Sequence, residues 1–336
     1  MDLIYKNEKV LFVIMLTLSC VVWLGVILGT LGGALIWALV IFVMYCFAQS
    51  ALISYIKGTA VQITEKQFPD LYRRIDACCD KLEHIERPQA YLMQMGGALN
   101  AFATRFLGRD FLVLYSDVVD ALHEIPDALN FYIGHEIGHI KRKHLLWSTV
   151  LIPASLMPLI GAAYSRAREY TCDRHGLAAC DRPESAQAGI AALAAGGKRG
   201  ATMCIQAYSE QSLHTDGFWM SFHELVADYP WLVKRMGAVR ALAQGQEVKQ
   251  PRRHPLAVLL AFFTPRIAGA GAAGPIVMVA IIAMSAAVLV PAYQQYKVRA
   301  AEAAAFRSGD AAVVVEKFDS ATKEIPATSE QPTEAR

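Results

Sequence analysis

"YIGHEIGHIKRKH", Tyr132 to His144, sets two histidines four residues apart, with a glutamate directly after the first. The chain before it offers Pro126, a residue favoured at helix starts, and no breaker follows. The stretch is therefore expected to be helical from there to Trp147. Residues four apart on a helix lie one above the other, so His135 and His139 can reach a single cation together. Glu136 falls on the adjoining side, and Gly138 leaves that face open to close approach.

This is the His-Glu-x-x-His arrangement of zinc metallopeptidases, in which the glutamate holds a water beside the metal and takes its proton. Zinc brings the pKa of such a water to about 7, so a neighbouring carboxylate can generate a nucleophile at neutral pH. A catalytic zinc needs a third protein ligand and one open position. Three residues compete for that role. His144 follows His139 by five residues and, on a continuous helix, would be rotated about 140° from it and face elsewhere. Glu169, in "SRAREYTCDRHG", lies on a second expected helix with Asp173 one turn later on the same face. Such a pair suits one carboxylate on the metal and another accepting a hydrogen bond from a ligand histidine. His175 lies six residues from Glu169, on a different face.

The composition places part of the chain in lipid. The 336 residues are 54% apolar and only 18% charged, where about a quarter is usual. No charged residue occurs from Val10 to Ile56, a run longer than two spans of about 20 residues each. Gly29, Gly32 and Gly33 mark the turn between spans expected at 10–28 and 34–53. A cleaved signal peptide would be followed by a polar sequence, and none follows here. A third run, "GPIVMVAIIAMSAAVLVPAYQQY" at 274–296, is also long enough to cross a bilayer. Part of it resembles the membrane helix of type IV pilins without the start those proteins need, so it is expected to act as a membrane helix only. The polar tail 297–336 ends in a stretch with a disordered composition. A net charge of +2 argues against a nucleic-acid partner. The seven cysteines show no paired Cys-x-x-Cys spacing and are expected to be buried, reduced thiols.

The expected organisation is a two-helix membrane hairpin at 1–56, a working domain at 57–253, an apolar segment with a membrane helix at 254–296 and the tail at 297–336. In the working domain, Thr64 with Gln67 forms a capping-box pattern at a helix start. Ala90–Met95 and Phe111–Ser116 read as strands, with "ALNAFAT" between them as a loop or edge strand. The runs 184–195 and 231–243 read as helices. The segment Leu145–Ser165 is apolar and uncharged, yet it cannot cross the bilayer once. A single crossing would carry Glu169 about 30 Å from a metal it must approach to about 2 Å. Two crossings need about 40 residues, more than separate His139 from Glu169. Pro153 and Pro158 are placed to fold it into a hairpin that dips into the membrane surface. Lys57, the basic run 141–143 and Arg252–Arg253 favour the cytoplasmic side of a cell membrane for the domain.

On "HEIGH", "SRAREYTCD" and "LNAFAT", in that order, the chain resembles the gluzincin membrane metallopeptidases that include HtpX and the CAAX prenyl protease. The resemblance runs from about Thr59 to Arg240. It implies a mainly helical α+β, zincin-like domain with a small sheet beside transmembrane helices. It also implies one zinc held by His135, His139 and Glu169, with Glu136 as general base and Asp173 orienting a ligand histidine. Asn100, Ala101, Phe102 and Ala103 would pair with the backbone of a peptide or membrane-protein substrate as an added strand. One departure stands out: the family often carries a His-Pro pair near the oxyanion, whereas "DYPWLVKR" puts Tyr229 there, whose phenol can also donate. His223 is a more distant substitute. The rival reading is a silent membrane scaffold that keeps zinc for stability and binds partners through the 100–103 edge. Such a scaffold has no need of Glu136.

Overall fold

The computed structural model describes residues 2–246 and 250–264, with 290–291, 293–301 and 303 in a second unit. The two units divide after Pro275, and the described residues of the second are helical. Most of the expected membrane helix at 274–296, and the tail beyond 303, lie outside the described residues.

The chain opens with α1 (Glu8–Gly29) and α2 (Ala34–Thr59), which are long and apolar enough to cross a membrane by length and composition. They meet at a tight turn in which Leu31 and Gly32 both take positive φ. A water-facing helix keeps one apolar stripe against a core. Here the apolar side chains point outward all round α2, with Trp37 and Phe47 each 70% exposed.

Next come β1 (Val61–Gln62) and α3 (Pro69–Lys81). The expected capping box forms only a turn: Gln67 donates its backbone N–H to Thr64 Oγ at 3.0 Å, but the helix starts later. Pro69 is the reason. Its ring drives the preceding residue out of the right-handed helical region, and Phe68 sits at φ 56°. Proline then occupies the first turn, where its missing N–H is not needed.

β2 (Gln89–Met93), β3 (Ala101–Phe106) and β4 (Arg109–Tyr115) complete a mixed sheet of order β1-β2-β4-β3. β2 and β4 run parallel, and β3 pairs antiparallel with β4 through a two-residue turn. Leu107 and Gly108 both have positive φ in that turn, as a twisted hairpin demands. β4 is apolar on both faces because both are covered. Leu112 and Leu114 enter the main core, while Phe111 and Val113 pack with Ile53 and Ile56 of α2. "ALNAFAT" thus supplies an edge strand, β3.

The remaining elements are α4 (Ser116–Ala121), α5 (Ala128–Lys141), α6 (His144–Trp147), α7 (Ile152–Ser155), α8 (Ile160–Ala179), α9 (Pro183–Ala195), α10 (Gly197–Gly200), α11 (Ile205–Glu210), α12 (Phe218–Val226), α13 (Leu232–Ala243) and α14 (Pro255–Phe262). The helix expected to run on to Trp147 ends at Lys141. Lys143 takes a left-handed conformation, φ 57°, which reverses the chain before α6. Pro153 opens α7, and Pro158 precedes a second positive-φ residue, Leu159, after which α8 begins. The segment 145–165 therefore doubles back. It packs on α1 through Met15, Leu151, Ala154 and Tyr164, and Trp23 donates its indole N–H to Val150 O at 3.1 Å. All seven cysteines are free, but only Cys78, Cys79 and Cys172 are buried; Cys46 and Cys180 are half-buried, and Cys20 and Cys204 are exposed. Cys20 points outward from α1, and Cys204 lies in the connection before α11.

α5 and α8 form the most intimate contact in the fold, and glycine makes it possible. A Cβ on Gly176 would stand 2.6 Å from the carbonyl oxygen of Phe131, and one on Gly134 would stand 2.5 Å from Ala179 Cβ. Gly176→Ala should therefore push the helices apart and destabilise the protein by about 1–3 kcal/mol. Gly237→Ala, in the interior of α13 where only Ser212 Oγ at 3.7 Å would be met, should instead stabilise by up to about 1 kcal/mol. Thermal unfolding in detergent checks the pair; equal midpoints would show that the α5–α8 approach is not limiting.

Candidate active site

The α5–α8 contact brings together residues from distant parts of the sequence. His135 and His139 project from α5 toward Glu169 on α8. Glu169 Oε2 lies 3.5 Å from His135 Nε2, and Oε1 lies 3.6 Å from His139 Nε2. One turn further along α8, Asp173 Oδ1 meets the other ring nitrogen of His135, Nδ1, at 3.0 Å. Arg235 of α13 then clamps Asp173 with two parallel bonds, Nε to Oδ2 at 2.8 Å and Nη2 to Oδ1 at 2.6 Å. Such forked pairs fix geometry as well as charge. Arg235 is the residue the sequence reading passed over, although it ends the very stretch, "DYPWLVKR", in which Tyr229 drew attention.

Two buried carboxylates in this cluster meet one permanent cation. Glu169 and Asp173 are buried carboxylates, and Arg235 is the cation beside both. Burial would raise Glu169, but contact with His135 prevails and holds it near about 2. Burial likewise opposes ionisation of Asp173, and Arg235 outweighs it, again to about 2. Burial would lower His135, yet its contacts with Asp173 and Glu169 win and raise it to about 10. His139, which has no such carboxylate on Nδ1, is pushed well below its ordinary value by burial. Burial, reinforced by the charge of Glu169, raises the Glu136 carboxyl to about 7. The site thus draws positive charge toward itself.

His135, Glu136, His139, Glu169 and Arg235 line a cleft of about 730 Å³, and Asp173 is not part of its wall. Asn100, Ala101, Phe102 and Ala103 form one wall, at and just before the start of edge strand β3. Tyr229 stands on the opposite limb, its phenol held above the usual range chiefly by the charge of Glu169. Arg168, which the sequence reading did not single out, also reaches the cleft, and its buried Nε has no hydrogen-bond partner among the described residues. His144, expected to face away, lines the cleft instead: the reversal at Lys143 brings its Nδ1 to 3.1 Å from His139 Nδ1. His175 is buried outside the cleft, with Nδ1 against Thr171 O at 2.8 Å. His223 belongs to α12 and is absent from the cleft lining.

Residues 65–160 match the model of Peptidase family M48. That stretch is similar to the M48 peptidases. The match includes His135, Glu136 and His139 and ends at the first residue of α8, short of Glu169. Two curated relatives agree. The "Plastoglobule-localized metallopeptidase 48, chloroplastic" of Arabidopsis thaliana is 26% identical over 41% of this chain and 44% of its own length. The "Protease HtpX homolog" of Syntrophobacter fumaroxidans is 25% identical over 52% of this chain and 77% of its own length. The chain thus spans less than half of the first relative. No solved structure matches the chain.

M48 metallopeptidases depend on a metal, and the donors gathered in this cleft suit one. Tetrahedral zinc with bonds of about 2.0–2.2 Å holds neighbouring ligand atoms about 3.3–3.6 Å apart. The two Nε2–carboxylate separations, 3.5 and 3.6 Å, are of that size. They also exceed an ordinary hydrogen bond, and Glu169 Oε2 is buried with no hydrogen-bond partner among the described residues. An orphaned carboxylate oxygen facing the Nε2 of one imidazole, with its sister oxygen facing the Nε2 of the other, is what a cation site leaves when its donors are preorganised. Cys172 offers a second donor set, since its sulfur, His135 and His139 have ligand atoms within 4.8 Å of one another. However, that sulfur lies 3.8 Å from His144 Nδ1, on the Nδ1 side of His139, and burial raises its pKa far above the thiol range. The separations favour Glu169 over Cys172 as the third donor of a metal site. Cobalt substitution separates the two sets: with Glu169, the cobalt protein should show no thiolate charge-transfer band, Cys172→Ala should bind metal normally and Glu169→Ala should not. A sulfur-to-cobalt band would reverse the assignment.

Proposed function

We propose that this chain is a membrane-bound zinc metalloendopeptidase of the gluzincin type, with a zincin-like catalytic domain, acting on peptides or membrane proteins in quality control or processing. The observation that carries the reading is Glu169, whose carboxylate faces Nε2 of both His135 and His139 and keeps one oxygen unpaired. When bound, zinc would supply Lewis acidity that polarises a scissile carbonyl and acidifies a water beside it. His135, His139 and Glu169 would hold it.

The protein's own groups perform the rest. Glu136, beside the ligand histidines, accepts the proton of the attacking water at its carboxylate and later returns it to the leaving amine. The outer edge of β3 at Ala101–Ala103, where the Ala103 backbone N–H also meets the Glu136 carboxyl, holds the substrate backbone as an added strand, leaving side-chain identity largely unread. Tyr229 donates its phenolic proton to the carbonyl oxygen as charge develops there. Asp173, clamped by Arg235, keeps the proton of His135 on Nδ1 and its Nε2 free.

A carboxyl raised to about 7 has a definite consequence for pH. Only the ionised form of Glu136 is a base, so kcat/KM should fall as pH drops through its pKa. A bound cation stabilises the carboxylate, so the acid limb should lie no higher than about 7. Glu136→Gln should abolish hydrolysis of casein, or of the chain itself, while zinc remains bound. Retained hydrolysis by Glu136→Gln with zinc in place would sink this reading.

The membrane setting rests on α1, α2 and the doubled-back segment 145–165. That segment packs on α1 on one side and exposes Leu146, Ile152 and Leu156 on the other. The hairpin dips into the cytoplasmic leaflet and keeps the cleft close to the membrane, with the basic residues at 57, 141–143 and 252–253 on that side. In a chain with Cys20 and Cys204 replaced, a cysteine at Leu156 should react with impermeant reagent from the cytoplasmic side only. Labelling from the opposite side would refute the hairpin.

A further inference from the structure

The two ligand histidines are held differently at their outer nitrogens. His135 Nδ1 meets a carboxylate directly. His139 Nδ1 meets only another imidazole nitrogen, His144 Nδ1 at 3.1 Å, and two ring nitrogens can share a hydrogen bond only if one donates and the other accepts. What lies beyond His144 decides which. Its far nitrogen, Nε2, stands 3.3 Å from Glu8 Oε1, the same oxygen that accepts from Arg142 Nε at 3.0 Å and Nη2 at 2.9 Å. Glu8 and His144 are 1% and 3% exposed, so water does not compete for these groups.

A carboxylate paired with arginine only accepts. His144 must therefore carry its proton on Nε2, which leaves Nδ1 as an acceptor. His139 must then donate from Nδ1, and its Nε2 is left with a bare lone pair. That nitrogen is the one facing Glu169, at a separation of 3.6 Å, too long for it to be donating a proton. The thiol of Cys172, 3.8 Å from His144 Nδ1, is a weak donor to the same acceptor and does not change the sense of the chain.

We infer that Glu8 and His144 are positioning residues that fix the tautomer and ring orientation of His139 for metal binding, so that the first residue of the apolar helix α1 is wired to the metal site. The inference rests on the zinc reading proposed above. It concerns residues outside the ligand set, and Glu8 lies outside the family match at residues 65–160. It also explains why α6 begins with a histidine directly after the left-handed Lys143: the chain reversal delivers an acceptor to the back of His139.

The test uses the full chain purified in detergent. Zinc affinity is measured by competition with a chromophoric chelator, and the His139 tautomer by histidine-selective nitrogen NMR on the metal-free protein. The wild type should show His139 protonated on Nδ1. His144→Phe should lose that preference and bind zinc about ten- to a hundred-fold more weakly. His144→Gln, whose amide oxygen can accept from Nδ1, should recover most of the affinity, a rescue that a purely space-filling role would not give. Glu8→Gln should lower the Nδ1–H population of His139, because its amide can donate to His144 and reverse the chain. A wild-type His139 protonated on Nε2 would overturn the inference without any variant, as would equal zinc affinity in His144→Phe, or a Gln variant no better than Phe. Absence of zinc binding in the wild type would instead remove the proposed function, while the tautomer measurement would still decide this inference.

Discussion

The backbones of α5 and α8 touch at Gly134, Gly138 and Gly176, and the cluster of His135, His139, Glu169 and Asp173 exists because they do. Side chains that must stand 3.5 Å apart across two helices leave no room for a methyl group between the helix axes. Glycine is a poor helix former, costing roughly 1 kcal/mol relative to alanine at an interior position. The chain accepts that cost at the contact, where a single Cβ would meet backbone atoms. The rest of the fold braces this pair: the main core, with Ile133, Ile137 and Ile190 fully buried, lies behind it, and the sheet lies along one side.

Electrostatics follow from the same geometry. Close packing removes water, so each buried carboxylate must find a partner or stay protonated. Asp173 has Arg235, and a second buried pair, Lys234 with Glu224 at 2.5 Å, secures the limb that carries Tyr229. Removing one member of such a pair typically costs about 3–5 kcal/mol because its partner is left as an unpaired buried charge. Exposed pairs such as Lys81–Asp181 contribute about 0–1 kcal/mol and do not shape the fold. Glu169 has the weakest claim on Arg235, at 3.8 Å, so its oxygen is left for something else.

The apolar elements meet the same centre. α1 packs along the 145–165 segment and also sends Glu8 into the protein, where Arg142 and His144 meet it. Helix α2 closes one face of the sheet through Ile53 and Ile56. The helices suited to lipid are thus part of the packing that holds the cleft, and the carboxylate at the base of α1 lies two imidazole rings from Glu169.

Much of this was legible in the sequence. The spacing of His135, Glu136 and His139 follows from the helical repeat alone, as does the pairing of Glu169 with Asp173. The uncharged run from Val10 to Ile56 announced two apolar helices, and short apolar runs bounded by Pro, Gly and Asp located β2 and β4 within a few residues. These are properties of short range, set by 3.6- and 2-residue periods and by bilayer thickness. Other features were not legible. Phe68, Lys143 and Leu159 adopt positive φ without being glycine, and at Lys143 that turn moved His144 from an expected outward position to the back of His139. Arg235 and Glu8 look like ordinary surface charges in the sequence, and only long-range packing places them against Asp173 and His144. Local periodicity could align His135 with His139, and Glu169 with Asp173, on one face of each helix. Which charges and which ring nitrogens stand behind them was decided by tertiary structure, because burial makes a partner obligatory and only the folded chain determines who is near enough to serve.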